Sequence, residues 1–165
     1  MDILILMEIA RDALRRVLGT YATGVSIVMT KSRGMIHGLT VNSFTSVSLD
    51  PPLILVCIDR MTATYPLMKE SRIFSVNILS NVQESLSKLF SDPGNKSSML
   101  QGLEYREEVT GAPILLGVLG FLDCSVEATY QWGDHDIFLA KVEKFGLGTE
   151  ADPLLYYRGG YHSLR

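Results

Sequence analysis

Residues 38–52 read GLTVNSFTSVSLDPP and gather the hydroxyls of Thr40, Ser43, Thr45, Ser46 and Ser48 around one amide, Asn42. Hydroxyls and free main-chain N–H groups can cradle an anion such as a phosphate without a lysine or a helix dipole. The same residue types also cap their own backbone at strand edges and turns, and composition alone favours that plainer role. A second group is Asp134-His135-Asp136, directly after Gly133. An imidazole can hydrogen-bond a carboxamide or a phosphate and can lie against a flat ring; capping a hairpin turn is its other reading. No second histidine or cysteine stands at ligand spacing, so the triplet does not read as a metal site.

The usual signatures of protein-borne chemistry are missing. Gly146-Leu147-Gly148 runs on into Thr149, Glu150 and Ala151, which breaks a dinucleotide fingerprint. There is no P-loop lysine, no nucleophile elbow and no pair of carboxylates set up as acid and base. Such a sequence fits a reaction whose chemistry belongs to a bound cofactor.

The elements that must position these groups come next. The 165 residues suit one domain, residues 1–165, and 47% apolar content provides a sizeable core. Charged residues make up 20%, which is compatible with a subunit interface. A net charge of −3 with no basic stripe argues against nucleic acid. The opening MDILILMEIA has no basic region and only a short apolar stretch, so it reads neither as a secretory signal nor as a membrane span. Cys57 and Cys124 lie far apart and read as two thiols of a reducing compartment, with the cytoplasm as the expected location.

Ile9, Ala13, Leu14, Val17 and Leu18 recur at helical spacing over 8–18, with Gly19 at the C-cap. Strands are predicted over 25–30, 35–41, 53–58, 73–78, 122–128, 138–143 and 154–157. Turns fall at 31–34 and at Gly133-Asp134. Thr64 and Pro66 open a short helix through Lys69. Asn81 with Glu84 predicts a capping box, followed by a helix that buries Val82, Leu86 and Leu89. Residues 91–111 are polar and predicted to be a loop. Strands joined by tight turns imply a mainly β fold, a largely antiparallel sheet closed into a barrel with a few flanking helices.

Taken in order, several blocks resemble the flavin reductase family of the FMN-binding split β-barrel, the reductase components of two-component flavin monooxygenases such as those acting on 4-hydroxyphenylacetate. They are RVLGTYATGVSIVMT (16–30), the 38–52 stretch, LILVCID (53–59), FSVNIL (74–79), Gly133-Asp134-His135 and PLLYYRGGY (153–161). Residues 1–7 lie outside the likeness. The sequence departs from the family pattern at Ala140, where glycine is common, and over 60–65.

The resemblance implies a Greek-key-like antiparallel barrel and an NAD(P)H:flavin oxidoreductase. It assigns flavin binding, FMN or FAD, to Gly38, Thr40, Val41, Asn42, Ser43, Ser46, Ser48, Cys57, Ile58 and Asp59, with Val41, Cys57 and Ile58 contributing backbone. Asp59 has a solvated strand-end carboxylate as its equal alternative. Asn77 either faces the flavin or satisfies buried backbone, the second being favoured. The reductant, NADH or NADPH, is assigned to Gly133, Asp134 and His135, with Tyr161 and Arg158 at the border; packing is the equal alternative for Tyr161. Hydride passes directly between the two rings, so no catalytic side chain is expected. The resemblance also implies a homodimer, and a separate oxygenase component reached by diffusing reduced flavin. A non-catalytic FMN-binding electron-transfer protein on the same barrel is the alternative.

Overall fold

The computed structural model describes residues 3–92 and 102–164, with side chains from residue 9 onward. In chain order, α1 (Ile3–Leu18) precedes β1 (Thr23–Gly24), β2 (Ser26–Ser32), β3 (Met35–Val41), β4 (Thr45–Leu49) and β5 (Pro52–Asp59). Then come α2 (Thr64–Ser71), β6 (Ile73–Ile78), a 3-10 turn (Asn81–Gln83) running into α3 (Glu84–Ser91), β7 (Tyr105–Glu107) and β8 (Pro113–Leu115). The long hairpin β9 (Gly120–Trp132) and β10 (His135–Leu147) is followed by β11 (Leu155–Tyr157) and β12 (Gly160–His162).

The main sheet has the order β3-β2-β6-β9-β10-β5-β4, and every pairing in it is antiparallel. Its inward side chains converge on one cluster. Val28 from β2, Val41 from β3, Val56 and Ile58 from β5, Phe74 and Val76 from β6, Cys124 from β9 and Phe138 from β10 all meet there. Val41 of the first strand in this order and Ile54 and Val56 of β5, next to its other edge, share this core, so the sheet is rolled into a barrel whose seam lies between β3 and the β4–β5 edge. Each large apolar side chain buried there contributes about 1.5–3 kcal/mol. This is the mainly β, antiparallel, Greek-key-like split barrel expected.

A second cluster lies outside the barrel. Ile27 and Met29 of β2 point outward, because side chains alternate along a strand, and α3, β8 and Leu154 cover them. Gly38 makes the docking of α3 possible. A Cβ there would sit 2.8 Å from the Phe90 ring and 3.1 Å from Met29. Among the described residues no helix is long and apolar enough to cross a membrane.

Strand bounds at 35–41 and 73–78 match the sequence reading, and the turn at Gly133-Asp134 forms with Gly133 at φ 61. Other expectations need correction. α1 begins at Ile3 rather than residue 8, and its predicted apolar stripe (Ile9, Leu14, Val17, Leu18) is exposed. The capping box is Ser80 with Gln83, one residue earlier than Asn81 with Glu84, and the Ser80 N–H donates to Gln83 Oε1 at 2.9 Å. That shift turns Val82 to solvent, 81% exposed, while Ser87 and Phe90 form the buried face with Leu86 and Leu89 packed beside them. The predicted 91–111 loop contains β7, paired with β8, and its residues 93–101 lie outside the described residues.

Gly38→Ala is expected to cost about 1–3 kcal/mol, the range for overpacking a tight core. Gly24→Ala, with nothing within 4 Å of the new methyl, is the control and should be near neutral. Thermal unfolding of both variants checks this; equal melting temperatures would contradict the packing assigned to Phe90.

Candidate functional site

Strand β3 is paired with β2 on one side only. Strand β5 is paired with β10 along its length, but β4 reaches only as far as Leu55. The seam between these open edges is partly filled by side chains. Ser43 Oγ donates to the Cys57 carbonyl at 2.9 Å and accepts from the Cys57 N–H at 3.2 Å, taking the place of a missing strand. The Thr40 hydroxyl donates to the Ser87 carbonyl at 2.6 Å and fastens α3.

What the side chains leave open is a chain of clefts. The first, about 330 Å³, lies between Gly38–Thr40, Asp59, residues 61–64 at the start of α2, and the end of α3. The second, about 340 Å³, shares Thr40 and Ser91 with the first and adds Val41, Asn42, Lys88, Tyr156 and Tyr161. The third, about 400 Å³, shares Asn42 with the second and adds Ser43 and Thr45, facing Tyr21 and Thr23. Each is of the size that small ligands occupy.

The sequence-predicted flavin residues divide accordingly. Gly38, Thr40, Val41, Asn42, Ser43 and Asp59 line the clefts. The Asn42 side chain has no hydrogen-bond partner among the described residues, so its amide is available. Ser48 accepts from the Asp50 N–H at 3.2 Å and caps the β4–β5 turn. Ser46 lies on β4 opposite Ile54, outside the three clefts. Cys57 has its backbone occupied by Ser43, and burial pushes its thiol up. Ile58 sends its side chain into the core; strand alternation turns its backbone groups toward Asp136 on β10. Asp59 Oδ1 accepts from the Met61 N–H at 2.8 Å, which caps the turn into α2. Asn77 takes its structural role: its amide donates to Ile27 O at 3.1 Å and to Ser75 Oγ at 2.9 Å, and its Oδ1 accepts from Leu115 N–H at 2.8 Å.

The Gly133-Asp134-His135 turn docks on the end of β5. His135 is the register partner of both Asp59 and Trp132. The Arg60 N–H donates to Asp134 O at 3.1 Å, and its guanidinium donates to Gly133 O. His135 Nδ1 is 2.7 Å from Asp134 Oδ1, a bond that holds the Asp134 carboxyl below the usual carboxylate range. A carboxylate can only accept, so Nδ1 donates this bond and Nε2 takes no part in it. Asp136 points the other way, into full burial, where the Tyr65 hydroxyl donates to it at 2.9 Å and Arg60 and Lys69 stand at 4.0 Å. Alternation thus separates the two neighbours of the triplet. Tyr161 sits elsewhere, in the second cleft, with its hydroxyl 2.8 Å from Ser87 Oγ and its ring edge-on to Tyr156.

The sequence profile of the flavin reductase like domain matches residues 18–165. The chain belongs to this family. A flavin reductase of Pseudomonas putida is 38% identical over 160 residues, covering 93% of each chain. The reductase subunit HsaB of a flavin-dependent monooxygenase from Rhodococcus jostii is 37% identical, covering 89% of this chain and 74% of its own. Among solved structures, the NADH:FAD oxidoreductase of Streptomyces globisporus, in complex with NAD and FAD fragments, superposes with a TM-score of 0.87 at 31% identity, covering 94% of this chain and 93% of its own. This flavin reductase is an oxidoreductase, and its barrel is the family's barrel.

Sequence reasoning missed Met61–Thr64, Lys88, Phe90 and Tyr156 as lining residues. Thr62 and Thr64 carried a signal, two hydroxyls ahead of a helix start; the others reach the clefts only through tertiary packing. Tyr65→Phe in this flavin reductase removes the hydroxyl that Asp136 accepts from and should cost about 1–3 kcal/mol. Urea unfolding checks it, and an unchanged midpoint would contradict the role given to that bond.

Proposed function

We propose that the chain reduces FMN or FAD with NADH or NADPH and releases the reduced flavin to a separate oxygenase. The observation that carries this reading is the continuous run of clefts along the β3–β5 seam, which reaches Asp59, the register partner of His135. The residues present suit a flavin. Val41, Leu39, Met61 and Phe90 offer apolar walls and Asn42 an available amide, while Lys88, ion-paired with Glu84 at 2.6 Å, lines the second cleft. At the start of α2 the Thr62 hydroxyl is spent on Asp59 O at 2.8 Å and the buried Thr64 hydroxyl on His37 Nδ1 at 2.7 Å, so what that end of the cleft offers a phosphate is the main-chain N–H groups of Ala63 and Thr64. When bound, the flavin supplies the electron chemistry.

The chain's own residues hold, orient and shield. Asn42, the Thr40 oxygen and the Val41 backbone would grip the ring system, and the main-chain N–H groups at the start of α2 would hold the phosphate end. Ser43 and Gly38 act one step back, by fixing the 42–44 loop and the seat of α3. His135, whose Nε2 takes no part in the Asp134 bond, hydrogen-bonds the nicotinamide carboxamide; Asp134 orients the ring and Arg60 pins the turn. Holding two flat rings in register removes the entropy of their encounter, and no side chain has to move a proton.

We further propose a homodimer in the cytoplasm. The outer face of β5 and β10 carries Leu53, Leu55, Cys57, Ile137 and Leu139 and runs on to Trp132, 74% exposed. A contiguous apolar face of this kind is normally covered. Sedimentation equilibrium should give twice the chain mass, and Leu139→Asp should halve it; a monomeric wild type would overturn the dimer.

Purified protein with added FMN or FAD should oxidise NADH or NADPH over many turnovers. His135→Ala should raise the coenzyme KM about tenfold and leave flavin affinity unchanged. Protein that keeps FMN through desalting yet ignores both coenzymes would favour the electron-transfer alternative. Unchanged coenzyme kinetics in the variant would remove His135 from its role.

A further inference from the structure

A fourth cleft, about 490 Å³, opens where the end of α1 meets the β11–β12 turn. It is lined by Arg15, Arg16 and Arg158 with Gly19, Thr20 and Gly159. It shares Gly159 with the second cleft, so it continues the run already described. No acidic residue lines either cleft, and Lys88 stands in the second. Lys88 is paired with Glu84 at 2.6 Å, so the positive charge of this stretch rests on the three arginines.

The two elements are held together by the Arg158 N–H, which donates to Gly19 O at 2.7 Å. Arg158 has φ 48 and Gly159 φ 81, the pair of left-handed residues that a two-residue hairpin turn requires. Asparagine is the usual first residue of such a turn; here an arginine occupies it. Its guanidinium stacks 5.1 Å from the Tyr157 ring centroid, which limits its freedom. Arg15 makes only a local contact with Asp12 at 3.3 Å, both side chains being exposed. Arg16 has no hydrogen bond or ion pair among the described residues. Main-chain donors are already used: the N–H groups of Gly19, Thr20 and Tyr21 close the end of α1. What remains to bind a ligand is guanidinium, the group suited to phosphate.

We propose that Arg15, Arg16 and Arg158 receive the diphosphate of an adenine dinucleotide whose ring half lies in the seam clefts. This rests on the function proposed above. The ADP half is common to FAD and to the nicotinamide coenzymes, and FMN lacks it. The cleft would therefore separate FAD from FMN if the flavin supplies the phosphates, or would act on the coenzyme with either flavin.

The test uses Arg16→Ala and the double variant Arg15→Ala/Arg16→Ala, at exposed positions of α1, in the full chain. Calorimetric titration with ADP should show binding to the wild type that weakens about tenfold on losing an arginine. It should also weaken as salt rises, because exposed charges are screened. Steady-state KM values for FMN, FAD, NADH and NADPH then assign the source. A rise for FAD alone marks the flavin, and a rise for the coenzymes with FMN as acceptor marks the reductant. Unchanged ADP affinity together with four unchanged KM values would overturn the proposal while leaving the reductase intact. Wild-type protein that binds ADP but turns over no flavin would instead overturn the function on which it rests.

Discussion

The molecule is organised around two strand edges that have no strand beside them. A closed barrel pairs every N–H and C=O, but here β3 and the far half of β5 each keep one open side. Buried backbone groups must find partners, and side chains supply some of them: Ser43 serves Cys57, and the Thr40 hydroxyl ties α3 across the gap. The remainder of the seam is open as clefts. The proposed binding surface is thus what the fold leaves unpaired, held in shape by the rigid sheet on both sides.

Strand alternation then assigns the work. Along β10, His135 faces outward beside Asp59 and Asp136 faces inward against Tyr65. Along β5, the Ile58 side chain belongs to the core, while the backbone groups of Cys57 face the seam. One residue of register would exchange these roles, and the buried Asp136 contacts with Tyr65, Arg60 and Lys69 oppose such a slip. The turn that carries His135 is fixed at its carbonyls by Arg60, so the imidazole is presented from a rigid base.

Much of this was legible in the sequence. The alternation of Leu122, Cys124, Val126 and Ala128 and the Gly133-Asp134 turn marked the central hairpin, because period and turn chemistry are local properties. The ordered blocks carried the family. Less legible were features set by tertiary packing. Residues 105–107 are polar yet form a strand, because β8 offers them a partner. The capping box at Ser80 was misplaced by one residue since Asn81 and Glu84 satisfy the same rule, and Val82 went to the wrong face with it. Of the hydroxyls in 38–52, those of Ser43 and Ser48 bond to backbone as composition favoured, while the Asn42 side chain has no hydrogen-bond partner among the described residues. Arg158 lies more than a hundred residues of sequence from Arg15 and Arg16, so no local pattern could join them.

The measurement that bears most directly on the seam is a crystal structure of the protein soaked with FMN. The ring system should contact Thr40, Val41 and Asn42, with the phosphate at the start of α2. Density for the flavin away from residues 38–48 would contradict the account, and the open edges of β3 and β5 would then be a feature of the barrel alone.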